Sequence, residues 1–362
     1  MPSSNVRVLL VEDSPIALTI LQRLLASAPD IEVVGTARNG IEALDLIPKL
    51  DPTVVCTDLH MPKMGGLELT RQIMATYPRP ILVISASVDE DNSENAFQLL
   101  QAGALDIFPK PRTGLSSGYE EIRTDLINRI KVLAGVSVFT HRQRMSKTQF
   151  PVCDVPTVQP SKSFSQSLSL DIRAPKIVAI GASTGGPQAF RDILQPLPAT
   201  FPVPIVCVQH ISEGFLLGLV TWLKGECAIQ IQIAQAGEIP QAGTVYFAPD
   251  NYHLQIDSRG CLQLAKTLPV AGHRPSVDVL FQSIAAYYRR SCVGILLTGM
   301  GRDGADGLFA IAQSGGTTIA QDESSCVVFG MPKEAIALNA AQYVLPISEI
   351  SPMLLTKIFV TP

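Results

Sequence analysis

Two α/β domains joined by a polar linker are the architecture this sequence predicts, and three observations carry it. The chain, at 362 residues, exceeds one ordinary core, since domains run to about 100 to 200 residues. Short β-rich apolar runs alternate with stretches of helical period in two separate blocks. Between the blocks, from about His141 to Ile172, the pattern dissolves into Ser, Gln, Pro, Lys and Arg and ends in Ser161-Lys-Ser-Phe-Ser-Gln-Ser-Leu-Ser169. The expected boundaries are residues 1–138, a flexible linker at 139–172, and 173–362.

In the first block the strand candidates are Val6–Val11, Ile31–Gly35, Thr53–Thr57, Ile81–Ser85 and Leu105–Phe108. Their unbroken apolar character suits a parallel sheet covered on both faces. In the second block they are Lys176–Ile180, Ile205–Gln209, Ala228–Ala234, Val245–Ala248, Val293–Thr298 and Thr317–Ala320. Asp250-Asn251 and Ser258-Arg259-Gly260 are turn signals, so local antiparallel hairpins are expected between Val245 and Ala265 within an otherwise parallel arrangement.

Composition narrows the function classes. Hydrophobic residues at 46% and charged residues at 17% describe a packed globular protein, not a disordered one. A net charge of −4 supplies no basic field for nucleic acid or anionic lipid. The seven cysteines are odd in number, widely spaced and lack a Cys-x-x-Cys pair, which reads as reduced thiols in the cytoplasm. No stretch reaches about 18 uninterrupted apolar residues, so neither secretion nor membrane insertion is expected.

Ligands of parallel α/β sheets gather beyond the carboxyl ends of the strands. In the first block those ends carry Glu12 and Asp13, Asp58, Ser85 and, just after the fifth run, Lys110. Clustered carboxylates repel one another unless a hard cation neutralises them, and Mg²⁺ suits oxygen ligands that leave room for phosphoryl oxygens. Asp58 is then the natural phosphoryl acceptor, with Lys110 offsetting negative charge and Ser85 donating a hydrogen bond. These positions, with Asp58-Leu-His-Met-Pro-Lys-Met-Gly-Gly66 and Phe108-Pro-Lys-Pro111, resemble response-regulator receiver domains over residues 5 to about 133. The resemblance implies a flavodoxin-like fold with a five-stranded parallel sheet. It also implies Mg²⁺ held by Glu12, Asp13, Asp58 and the carbonyl of His60, and a partner histidine kinase as phosphodonor. Three residues before the lysine stands Ile107, where that family often has an aromatic side chain.

The second block repeats the logic with different chemistry. Ser183 follows the first strand in Gly181-Ala-Ser-Thr-Gly185-Gly186, His210 ends the second run, and Asp303 follows Val293–Thr298. Small neighbours let the chain bend sharply at the serine and expose its hydroxyl. An imidazole can take the serine proton while a carboxylate fixes the imidazole's tautomer, and Ser183, His210 and Asp303 fit those roles. Backbone N–H groups at Met300 and Thr184 could stabilise an oxyanion. Cys207 lies mid-run and reads as buried and inert, and His253 and His273 read as surface or hydrogen-bonded histidines.

Taken together, Ile180-Gly-Ala-Ser-Thr-Gly-Gly186, Gln209-His210, His273-Arg-Pro-Ser-Val-Asp-Val-Leu-Phe281 and Leu297-Thr-Gly-Met-Gly-Arg-Asp-Gly304 resemble the chemotaxis receptor methylesterases, the CheB family. The resemblance implies a doubly wound α/β esterase domain that hydrolyses glutamyl methyl esters, and deamidates glutamines, on the cytoplasmic helices of chemoreceptors. It assigns Ser183, His210 and Asp303 as the triad and requires no cofactor for the esterase reaction. Where the family often reads Met-Pro-Pro-Gly after the histidine, this chain has Ile211-Ser-Glu-Gly-Phe215. Two alternatives compete. Gly299-Met-Gly-Arg-Asp-Gly304 matches the Gly-x-Gly-x-x-Gly of dinucleotide-binding oxidoreductases, although Asp303 would lie beside the pyrophosphate. The other is a response regulator whose second domain only binds a partner.

Overall fold

A computed structural model describes residues 5–85, 90–111, 119–136, 138 and 175–359, and the expected linker at 139–172 lies outside them. In the first half, strands β1 (Val6–Val11), β2 (Ile31–Ala37), β3 (Val54–Asp58), β4 (Ile81–Ser85) and β5 (Asp106–Pro109) form one parallel sheet in the order β2-β1-β3-β4-β5. Helices α1 (Pro15–Leu25), α2 (Gly40–Leu50), α3 (Gly66–Thr76), α4 (Glu90–Gln101) and α5 (Tyr119–Ala134) connect and cover it. The period-2 alternation of β1 explains the two covered faces: Val8 and Leu10 pack with α1 and α5, whereas Leu9 and Val11 face the opposite cluster. Each such buried aliphatic side chain contributes about 1.5 to 3 kcal/mol. This strand order is the flavodoxin-like one, and its direction reverses beside β1, where β1 pairs with both β2 and β3.

The second half contains a seven-stranded sheet in the order β14-β13-β12-β6-β7-β9-β8. Its strands are β6 (Ile177–Ala182), β7 (Ile205–Gln209), β8 (Gln230–Ile233), β9 (Thr244–Phe247), β12 (Cys292–Leu296), β13 (Thr317–Gln321) and β14 (Tyr343–Leu345). Every pairing in this sheet is parallel. The expected hairpin exists as β10 (His253–Ile256) and β11 (Leu262–Ala265), but it forms its own two-stranded antiparallel sheet and does not join the larger one. Helices α6 (Gly186–Leu194), α7 (Leu216–Glu226), α8 (Val277–Tyr288), α9 (Ala305–Gln313), α10 (Met331–Ala337) and α11 (Ile347–Met353) complete the layers. No helix among the described residues is long and apolar enough to cross a membrane.

β6 lies at the switch of strand order, between β12 and β7, so the chain leaves in opposite directions from its two sides. Parallel α/β sheets bind ligands beyond the carboxyl ends of the strands at such a point. The two halves also touch. Phe97 of α4 stacks on Trp222 of α7 with ring centroids 5.6 Å apart, and Gln101 donates to Glu226 at 3.0 Å. One apolar cluster runs through Phe97, Ile107 and Trp222. Ile107, where an aromatic switch residue was absent from the sequence, is a buried member of the same cluster.

Candidate active site

Ser183, His210 and Asp303 rise from the ends of three adjacent strands, β6, β7 and β12. The Ser183 N–H donates to the Thr298 carbonyl at 3.0 Å, tying the serine turn to the loop after β12. Gly299 in that loop is obligatory, because a Cβ there would stand 2.7 Å from the Ser183 Cβ. Gly299 O accepts from the N–H groups of Gly330 and Met331, and Thr298 Oγ1 donates to Thr184 O at 2.9 Å. Within the described residues the N–H groups of Met300 and Thr184 donate no hydrogen bond, which leaves both available to an incoming oxygen.

His210 Nε2 lies 2.9 Å from Asp303 Oδ2, a close polar contact whose alignment falls short of a straight hydrogen bond. Its Nδ1 is buried without a partner. Polar pairs of this kind often tighten only when substrate binds. Asp303 is also held from the other side: Ser276 Oγ donates to Oδ1 at 2.8 Å, Val277 N–H to Oδ2 at 2.7 Å and Asp278 N–H to Oδ1 at 3.0 Å. These donors are the cap and first turn of α8, so the carboxylate sits at the positive end of a helix. Burial acts to raise its pKa, but the contact with His210 and the helix donors hold it well below the usual carboxylate range.

Three further residues complete the site, and the sequence singled out none of them for it. His253 is fully buried; its Nδ1 accepts from Ser276 N–H at 3.2 Å and its Nε2 lies 3.1 Å from the Leu268 carbonyl, which fixes a neutral Nε2–H tautomer and anchors the α8 cap. His273 stacks flat on His210, with centroids 4.0 Å apart and rings inclined by 1°. Burial first, and then electrostatic repulsion with His210, pushes the His273 pKa down to about 4, so this ring is uncharged at neutral pH. Gln209 joins the serine and histidine loops, its Nε2 donating to the carbonyls of Ser183 and His210. Ser276 caps α8, its Oγ accepting from Val279 N–H at 3.4 Å, but nothing in the sequence around it signals that the helix would point at Asp303. Cys207 is fully buried and its thiol is pushed well up by burial, in keeping with an inert role.

Asp278 lies beside Asp303 and accepts from Gly307 N–H at 2.6 Å. Burial, and the charges of Asp303 and Asp306, push its pKa up to about 6. The unfolded chain therefore releases this proton first, near pH 4, and stability falls as pH rises from there to about 6. Asp278→Asn keeps the acceptor and removes the charge. Urea unfolding should show the variant more stable than wild type at pH 7.5 by on the order of 1 to 3 kcal/mol, with no gain at pH 4. An equal difference at both pH values would rule out this titration.

At the switch point of the first sheet, Lys110 Nζ bridges Glu12 Oε1 and Asp58 Oδ2, 2.8 Å from each. Carboxylate oxygens of Glu12, Asp13 and Asp58 lie within 4.8 Å of one another, and Glu12 Oε2 is buried with no partner. Burial raises the Glu12 pKa, with Lys110 opposing and the Asp58 charge adding. An open cavity of about 440 Å³ beside them is lined by Asp13, Leu59, His60, Met61, Pro62 and Gly65. An orphaned acceptor in an acidic cluster with an open mouth fits a hard divalent cation. Ser85, at the end of β4, accepts at its carbonyl from Lys110 N–H at 2.8 Å. The first half also reaches the serine site: Thr184 Oγ1 lies 3.4 Å from Asp106 Oδ2, and Arg129 Nη1 holds the same oxygen at 2.9 Å.

Two family patterns match the chain, CheB methylesterase over residues 178–354 and response regulator receiver domain over residues 8–115. A "Protein-glutamate methylesterase/protein-glutamine glutaminase" of Nitrosospira multiformis is 41% identical over 346 residues, spanning 96% of this chain and 95% of that one. A similarly named protein of Methanospirillum hungatei is 41% identical over 346 residues, 96% of each. The crystal structure of the Thermotoga maritima CheB methylesterase catalytic domain is 40% identical and covers 50% of this chain and 98% of its own, with a TM-score of 0.49.

Proposed function

This chain belongs to the CheB methylesterase family and carries its receiver domain, and from that premise we propose that it is a phosphorylation-controlled Ser-His-Asp hydrolase acting on chemoreceptors. Its substrates are glutamyl methyl esters on receptor helices, and receptor glutamines for the deamidation that its relatives' names record. The single observation that supports this reading best is the meeting of the serine turn, His210 and a helix-capped Asp303 at the ends of three neighbouring strands. The dinucleotide alternative fares worse, because the carboxylate of Asp303 fills the region where that motif would need to accept a pyrophosphate.

Ser183 Oγ attacks the ester carbonyl, and His210 takes the serine proton at Nδ1, the ring nitrogen turned away from Asp303. The N–H groups of Met300 and Thr184 receive the negative charge that develops on the carbonyl oxygen. His210 returns the proton to the leaving methoxide and methanol departs. A water molecule, deprotonated by the same imidazole, then cleaves the acyl-serine to glutamate and free Ser183. Asp303 stays ionised throughout and stabilises the imidazolium.

In the receiver half, Asp58 accepts a phosphoryl group from a histidine kinase. Glu12, Asp13, Asp58 and the His60 carbonyl would hold Mg²⁺, which supplies positive charge for the phosphoryl oxygens. Lys110, already bridging Glu12 and Asp58, and the Ser85 hydroxyl assist. The unphosphorylated receiver hinders the hydrolase entrance, a role in keeping with the Asp106–Thr184 contact, and phosphorylation shifts the population toward an open form. The protein works in the cytoplasm, where its described cysteines remain free thiols.

Methanol release from methylated receptor, with and without a small phosphodonor, tests the whole reading: a phosphodonor should raise the rate in wild type and leave Asp58→Asn unchanged. Trp222, the one tryptophan of the chain, reports on the contact directly because it stacks on Phe97. Its emission should shift to the red on phosphodonor addition in wild type and stay fixed in Asp58→Asn. A higher methanol rate with an unchanged spectrum would show that activation bypasses this contact.

A further inference from the structure

Gln209 ends β7 with its side chain almost wholly buried, at 4% exposure. Its Nε2 donates to the Ser183 carbonyl at 2.8 Å and to the His210 carbonyl at 2.9 Å. The Ser183 carbonyl also accepts from Gly186 N–H at 2.8 Å within its own turn, but among the described residues no other side chain donates to either carbonyl. The main chains are already close here, with Ala182 paired to Gln209 and His210 N–H donating to Ala182 O at 2.9 Å. Beyond that point they part, since Ser183 N–H turns toward Thr298 on the other side. The Gln209 amide is the link that spans the gap.

Two features show that the site is built around this amide. Gly186, the first residue of α6, has no room for a side chain, as a Cβ there would lie 1.9 Å from Gln209 Oε1. Gln209 Oε1 itself is buried without a hydrogen-bond partner, a desolvation cost that an apolar side chain of the same volume would avoid. What the position gains from a glutamine is therefore the pair of donated hydrogen bonds.

We propose that Gln209 is a positioning residue for the serine reaction: its amide clamps the peptide carbonyls of Ser183 and His210 to each other and so sets the hydroxyl relative to the imidazole. The inference rests on the serine-hydrolase reading and adds to it the device that holds nucleophile and base, carried on separate strands, in fixed relation. Misplacement of reacting groups by about 1 Å costs on the order of 100-fold in rate, so a small slackening should be visible.

The test uses the full-length protein with phosphodonor, methanol release from methylated receptor, and covalent labelling of Ser183 by a small fluorophosphonate. Gln209→Met preserves length and removes the donors. It should lower kcat per labelled serine by on the order of 10- to 100-fold, slow labelling in parallel and leave KM within about twofold. Gln209→Glu supplies a pH signature. Ionised, it repels both carbonyls; protonated, it donates to one. Its activity relative to wild type should therefore rise as pH falls, whereas the Gln209→Met ratio stays flat. A Gln209→Met enzyme with wild-type kcat would overturn the proposal, as would Glu and Met variants with the same pH-independent ratio. If the Met variant fails to fold, the Glu ratio alone decides. Ser183→Ala run alongside separates the levels: turnover by that variant would sink the serine reading itself, while a dead Ser183→Ala beside an unimpaired Gln209→Met would sink only the clamp.

Discussion

Ser183→Ala, assayed by methanol release in the presence of a phosphodonor, should lower kcat by on the order of 10⁴-fold or more. The substitution deletes one oxygen at a position where the backbone does the structural work. Ser183 N–H, its carbonyl and the glycine beside its Cβ are all engaged through main-chain atoms or close packing, and none needs the hydroxyl. The variant should therefore fold, bind methylated receptor with near-wild-type affinity and keep the Trp222 response to phosphodonor. Loss of turnover with binding intact identifies an interaction made only on the path to the transition state. A residual rate above about a tenth of wild type would exclude Ser183 as the nucleophile.

Asp303→Asn is the second large effect, with kcat expected to fall by on the order of 10³- to 10⁴-fold. The reason is the tautomer. Asp303 accepts from Ser276 Oγ and Asp278 N–H on one oxygen and from Val277 N–H on the other, the oxygen that also faces His210 Nε2. An asparagine must turn its NH₂ toward one of these donor pairs. If its oxygen keeps Ser276 and Asp278, its NH₂ meets Val277 N–H and His210, and the imidazole moves its proton to Nδ1, where it can no longer accept from serine. Stability responds too. The lowered Asp303 pKa contributes stability that is present above the unfolded value near 4 and is lost as pH falls through the folded value. Urea unfolding should show wild type ahead of the variant at pH 7, with the gap closing in strong acid. A gap that persists unchanged below pH 3 would mean that the carboxylate charge is not its source.

The sequence made the strand ends legible because each apolar run stops at a polar residue facing a ligand crevice, and parallel α/β sheets put chemistry at those stops. Ser183, His210, Asp58 and the Glu12-Asp13 pair were found on that basis. The short edge strand at Tyr343–Leu345 escaped because its residues are largely exposed, so no buried pattern marks them. The hairpin was recognised from its turns, but turns carry no information about which sheet a strand joins. His253, His273 and Ser276 could not be placed, since each acts through a partner between 15 and 63 residues away in the chain. Gln209 stood in plain view beside His210, yet only coordinates reveal that its amide reaches backward to another strand's loop.

The ring stack between Phe97 and Trp222 limits how the receiver can release the hydrolase. Full separation would wet both aromatic faces and the apolar surface around them, at a cost of about 1.5 to 3 kcal/mol for each large side chain, and one new phosphate acts through only a few charge-assisted contacts. Sliding is cheaper than parting. The active form should therefore keep the two apolar faces in contact but slide Phe97 partly off Trp222, wetting one edge of the indole while the Asp106 end of the receiver swings clear of Thr184.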